Sequence, residues 1–211
     1  MTEIATNSVF KFHSYTPSEG HGLKYNPFKA LVTPRPIGWI STVSPDGAVN
    51  LAPYSYFNAL CDNPPILMFS SHTRKHSLEN IEATGEFVHN VCSAALAEEM
   101  NTTSANYPAG VSEMAEAGLE GLASDVVAAP RLAAAPASFE CKLVEIKELR
   151  DASGQATAWW MVIGEVVRAH INMDFIRDGI VDERALSLLG RLGYFNYAAV
   201  DDIFEMKRPK L

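Results

Sequence analysis

Cysteine is scarce in this chain of 211 residues. Its three cysteines, Cys61, Cys92 and Cys141, are odd in number, far apart and free of any Cys-x-x-Cys spacing, which argues against a disulfide framework or a structural zinc site. Long apolar runs are also missing. The longest, such as Trp159 to Ile163, are about five residues, far short of the roughly 20 that a membrane-spanning helix needs. The N-terminal residues lack the basic segment and apolar stretch of a signal peptide, so a cytoplasmic protein with no membrane partner is expected. Positive charge is the third deficit: 17 Lys+Arg stand against 25 Asp+Glu, for a net charge of −8. A general nucleic-acid binder needs a basic surface that this balance does not supply. Nucleotide signatures are absent as well. The thirteen glycines form no Gly-x-Gly-x-x-Gly, and there is no Walker A sequence and no Gly-x-Ser-x-Gly elbow. Any nucleotide bound here must be held by other means.

What is present suits a globular β protein. Apolar residues make up 47% of the chain and charged ones 20%, enough for one continuous core. Residues 1–24 are polar and aperiodic and read as an N-terminal arm, with a single domain over 25–211. Apolar, β-branched runs predict strands at 37–43, 48–51, 54–60, 66–70, 86–91, 138–149, 157–171 and 198–206. Helices are expected at 28–32, at 77–84 with Gly85 as its C′ residue, at 94–100 capped by Ser93, and at 112–117. Closely spaced short strands with few helices predict a mainly β fold with helical insertions, a closed barrel.

Two segments could carry chemistry. From His76 to Pro130 there is no Lys or Arg, yet Arg74 and Lys75 stand directly before it among Ser70, Ser71, Thr73 and Ser77. Hydroxyls, fixed positive charge and a helix N-terminus are what an anion site requires. The same residues also fit a solvated loop in which Ser77 merely caps a helix. His72 and His76 share a four-residue spacing but lack the intervening glutamate of a zinc helix, so no metal is expected. The second segment is Asn50 to Cys61, where Tyr54, Ser55, Tyr56 and Asn58 mix flat apolar surfaces with hydrogen-bonding groups. A planar heteroaromatic ligand suits that mixture, as do core aromatics alternating with surface polars. Cys61 has no assignable His partner for covalent catalysis, so no catalytic side chain is expected.

Taken together, Thr33-Pro34-Arg35-Pro36-Ile37-Gly38-Trp39-Ile40-Ser41-Thr42, Asn50 to Asn58, Asn80-Ile81-x-x-Thr84-Gly85-Glu86-Phe87-Val88, Glu140-Cys141-Lys142-Leu143 and Leu189-Gly190-Arg191-Leu192-Gly193 closely resemble the flavin reductase-like, FMN-binding split-barrel family. The resemblance spans roughly residues 25–208. It implies a homodimeric split β-barrel holding FMN near the subunit interface and reduced by NADH or NADPH. It also implies an electron acceptor such as a flavin-dependent monooxygenase. Carried onto this chain, it places the flavin ring and ribityl chain against Arg35, Ser41, Thr42, Tyr54, Ser55, Tyr56, Asn58 and Cys61. The phosphate falls at Ser71, Arg74, Lys75 and Ser77. Two departures stand out: Cys61 where the family commonly has Ser, and Lys75-His76-Ser77 where it commonly has Lys-Asp-Thr. The chemistry then belongs to the cofactor, with backbone N–H groups or the hydroxyls of Ser41 and Thr42 facing charge that develops on the ring. A flavoredoxin-like electron carrier, or a non-catalytic flavin- or heme-binding barrel, would use the same cradle.

Overall fold

The computed structural model of the protein describes residues 11–108 and 110–209. The strands are β1 (Arg35–Pro36), β2 (Gly38–Val43), β3 (Val49–Tyr54), β4 (Phe57–Asp62), β5 (Pro65–His72), β6 (Glu86–Asn90), β7 (Gly121–Leu122), β8 (Arg131–Leu132), β9 (Ala137–Arg150), β10 (Ala156–Ile171), β11 (Ile176–Arg177), β12 (Ile180–Val181), β13 (Leu189–Arg191) and β14 (Tyr197–Ala199). The α-helices are α1 (Phe28–Leu31), α2 (His76–Thr84), α3 (Ala97–Thr102), α4 (Glu113–Glu116) and α5 (Glu183–Leu186). No helix among the described residues is long and apolar enough to cross a membrane.

A seven-stranded antiparallel sheet in the order β3-β2-β6-β9-β10-β5-β4 forms the body. Its outer strands β3 and β4 do not pair with each other, so the barrel is split rather than closed, a correction to the closed barrel that strand spacing alone suggests. Pro53 in β3 has no N–H to offer a further strand. After it the chain swings over the sheet, where the Phe57 ring takes the space that a Cβ on Gly38 would occupy, 2.5 Å away. β1, β13 and β14 form a small sheet beside the barrel mouth.

Inside the barrel lie Ile40, Tyr54, Phe69, Phe87, Cys141 and Val162, with Leu78 and Ile81 of α2 packed among them. Local chemistry explains α2 well. Its apolar residues sit at positions three apart, and Gly85 ends it in the left-handed conformation, φ 72°, donating to Ile81 O. On the other face of the sheet a loop through residues 123–132 is laced down by two buried side chains. Asn90 donates to Trp39 O and Ser41 Oγ while accepting from Leu132 N and Ser138 Oγ, so both ends of its amide are satisfied. Glu140 accepts from Asp125 N, Val126 N and Val127 N.

Most predicted elements are present with shifted ends. The helix expected at 94–100 is instead a 3-10 turn, Ala94–Leu96, leading into α3, and the Ser93 side chain caps nothing. The strand expected at 198–206 stops at Ala199, paired with Leu189 at the start of β13; just past it Val200 N donates to Leu188 O at 2.9 Å, outside the strand ladder. Of the expected arm, residues 1–10 lie outside the described residues, and 11–24 carry no helix or strand.

Candidate functional site

A cavity of about 340 Å³ opens over the N-terminus of α2. Arg74, Lys75 and Ser77 line it, together with Tyr54 from the end of β3. No side chain caps α2, so the first-turn N–H groups, with the positive end of the helix dipole, face this cavity. The Tyr54 hydroxyl is buried behind this wall, with the Ser77 and Ser71 hydroxyls beside it and no hydrogen bond of good geometry among the described residues. Burial pushes the Tyr54 phenol above its usual range, with the nearby Ser77 and Ser71 hydroxyls working against the rise. It therefore stays protonated and can donate. Ser77, itself 1% exposed, lies 2.8 Å from the Asn50 amide. Arg74 is ion-paired with Glu82, and its guanidinium lies 5.1 Å from the centre of the Trp160 ring.

A second cavity of about 470 Å³ adjoins the first, with Pro53 and Ser104 lining both. Arg35, Ile37 and Ser55 face it from the strand side. Arg35 is buried, with Nη1 donating to Lys29 O at 2.7 Å and Val32 O at 2.6 Å, and Nη2 to Leu192 O at 3.0 Å. These carbonyls tie the end of α1 and the β13–β14 hairpin to β1. Tyr56 lines neither cavity. Its ring lies 5.8 Å from the Arg35 guanidinium and packs edge-on against Trp159 at 5.0 Å.

The expected site residues thus divide. Tyr54, Arg74, Lys75 and Ser77 converge on the first cavity, Arg35 and Ser55 on the second. Ser71 lines neither; it is buried just behind Tyr54, its hydroxyl donating to Thr73 O at 3.1 Å. Ser41 and Thr42 have no exposed surface. The Ser41 hydroxyl donates to Pro130 O at 2.5 Å, and that of Thr42 accepts from Asn80 at 3.0 Å, so neither is free to meet a ring. Asn58 and Cys61 lie on the exposed outer strand β4 and line neither cavity.

Other lining residues were not singled out by sequence. Thr103 to Tyr107, directly after α3, wall the first cavity. Glu113, buried and accepting from Leu51 N at 3.2 Å, closes its far side. Arg191, Tyr194 and Phe195 come from the β13–β14 hairpin. A phosphate-like signal exists only at 70–77, where the residues are contiguous.

The family described as "Flavin reductase like domain" matches residues 31–189, and the chain belongs to that family. Nitrilotriacetate monooxygenase component B of Bacillus cereus is similar at 30% identity and a TM-score of 0.83, over 95% of this chain and 100% of that one. The 2-nitrobenzoate 2-nitroreductase of Pseudomonas fluorescens is similar at 30% identity and a TM-score of 0.78, over 99% and 96%. A Shewanella frigidimarina protein with a split barrel domain is similar at 26% identity and a TM-score of 0.77, over 86% and 90%. The fold is that of a flavin reductase-like split barrel.

Proposed function

We propose that the protein binds FMN and works as an NAD(P)H-dependent flavin reductase or a closely related oxidoreductase. One observation carries the cofactor: Arg74, Lys75, Ser77 and Tyr54 line one cavity over the uncapped N-terminus of α2. Cations, a hydroxyl and free helix N–H groups brought together in this way suit a phosphate. The residues present therefore fit a phosphorylated flavin. Bound there, FMN would supply the acceptor for hydride from a nicotinamide.

The chain's own residues bind and orient. Ser77, Lys75 and the first N–H groups of α2 hold the phosphate, and Tyr54 donates from the barrel side. Pro53, shared by both cavities, marks the path from phosphate to ring. Ile37 offers the ring an apolar surface, Ser55 a hydroxyl, and Arg35 a cation near charge that develops there. No acid or base among these side chains is asked to move a proton.

We further propose a homodimer, which the exposed Leu60, Val144 and Ile180 would help to cover. A flavin-dependent monooxygenase is a fitting acceptor, in keeping with the component B neighbour. NADH and NADPH oxidation measured with added FMN or FAD tests the activity. Turnover with free flavin is expected, and reduction by a protein donor alone would make the protein an electron carrier instead.

A further inference from the structure

The second cavity has two unlike walls. The inner wall is Pro53 of β3 with Ile37, between β1 and β2, and Ser55, between β3 and β4. The outer wall is Lys29 of α1 with Arg191, Tyr194 and Phe195 of the β13–β14 hairpin, and Tyr25 leaning on Tyr194 at 5.5 Å. Three cations line the cavity, Lys29, Arg35 and Arg191, and no carboxylate does, in a chain whose net charge is −8. None of the three forms an ion pair among the described residues. Arg35 is 7% exposed, and its Nε has no hydrogen-bond partner. Its other two nitrogens donate only to backbone carbonyls, so no carboxylate among the described residues neutralises its charge, which favours an anion in the cavity.

The hairpin also presents aromatic surface. Arg191 Nη2 donates to Tyr194 O at 2.5 Å, and its guanidinium lies 4.4 Å over the Tyr197 ring. Tyr194 itself is left-handed, φ 56°, a conformation that bulky residues avoid. The next side chain, Phe195, stands 90% exposed at the rim. Cations without counterions beneath a rim of aromatic rings form a receptor for a flat anion.

We propose that the outer wall binds an aromatic carboxylate, with Arg191 selecting the carboxylate and Phe195 covering the ring. The flavin reading enters through what occupies the inner wall, where Arg35 would serve the ring; the anion site rests on Lys29 and Arg191 of the outer wall. The test is calorimetric titration of the full chain with benzoate, benzyl alcohol and nicotinamide mononucleotide, with FMN saturating and again without it.

Benzoate is expected to bind in the presence of FMN, roughly tenfold or more tighter than benzyl alcohol, which cannot accept a charged fork. Arg191→Gln should bring benzoate down to the level of the alcohol. Phe195→Ala should weaken both aromatic ligands alike. Because Arg191 also braces Tyr194, Arg191→Lys is the second variant: it keeps the charge, loses the fork and should retain part of the benzoate preference. Displacement of benzoate by FMN would overturn the proposal, as would equal binding of benzoate and benzyl alcohol or an Arg191→Gln variant that binds benzoate normally. Tighter binding of nicotinamide mononucleotide than benzoate would also overturn it, making the wall a nucleotide subsite. Arg191-dependent benzoate binding in a chain that takes no FMN would uphold this inference and sink the flavin reading instead.

Discussion

The carboxylate of Glu82 holds the guanidinium of Arg74 at the edge of the first cavity, eight residues along the same turn-and-helix segment. Arg74 therefore has an internal partner that any incoming phosphate must compete with. Both side chains are more than a third exposed, so the pair is weak, within about 1 kcal/mol.

That competition gives opposite signs to two substitutions. Arg74→Ala should weaken FMN binding roughly tenfold or more, because a charge-assisted bond worth about 1.5–3 kcal/mol is lost. Riboflavin, which lacks the phosphate, should be unaffected. Glu82→Gln should tighten FMN binding by up to about fivefold, by freeing the guanidinium. Fluorescence titration of both ligands decides it. Equal losses for FMN and riboflavin would mean a collapsed loop rather than a lost phosphate contact.

His89 sets an upper acid limit. Its ring sits between Phe57 at 4.3 Å and Phe139 at 5.9 Å, and its Nδ1 is buried without a partner. Burial pushes its pKa down from the usual 6.5 to about 3. The unfolded chain thus binds this proton more readily than the folded one, so stability is complete above about pH 6.5 and declines as pH falls toward 3. Urea midpoints measured against pH should show that decline, and His89→Leu should flatten it between pH 6.5 and 4.5.

Glu140 sets a lower one. Burial would raise its pKa, but the N–H groups of Asp125, Val126 and Val127 and a 2.6 Å bond with His170 outweigh it and hold it near about 2. Its contribution is present above its ordinary value of about 4.5 and is lost as pH drops from there to about 2. Glu140→Gln turns an amide N–H toward donors, and should cost roughly 3–5 kcal/mol at neutral pH. Denaturant unfolding measures it, and a loss under 1 kcal/mol would show that the 123–132 loop is held by other contacts.

The cysteines should differ in reactivity. Burial pushes the Cys92 and Cys141 thiols up to about 12, while Cys61 is exposed on β4. A chromogenic disulfide reagent should titrate one thiol in the native protein and three after unfolding. Carbamidomethylation of Cys61 should leave FMN affinity unchanged, since Cys61 lines neither cavity.

The fold was legible wherever the determining signal is local. Turn residues such as Asp46-Gly47, the Gly85 terminator and the long β9–β10 pair are all written in neighbouring residues. The gathering of Arg74, Lys75 and Ser77 on one cavity is legible for the same reason. Ser41 and Thr42 were misread because β2 is covered on both faces, by the barrel core and by the 123–132 loop and α2. Polar residues in such a strand satisfy the interior rather than a ligand. Glu113 meets Leu51 across 62 residues, and Leu192, the neighbour of Arg191, meets Arg35 across 157. Periodicity carries no information over such distances.

The rings of Phe87 and Phe57 occupy the places where Gly164 and Gly38 would carry a Cβ, at 2.4 Å and 2.5 Å. Each pair therefore shares one fixed allotment of volume across strands that are not neighbours in the sheet. Neither member can be inherited alone. A relative with a side chain at the position of Gly164 must have surrendered the ring at Phe87, and likewise for Gly38 and Phe57. The divergence of this barrel should proceed through paired exchanges at these positions, with single changes there purged.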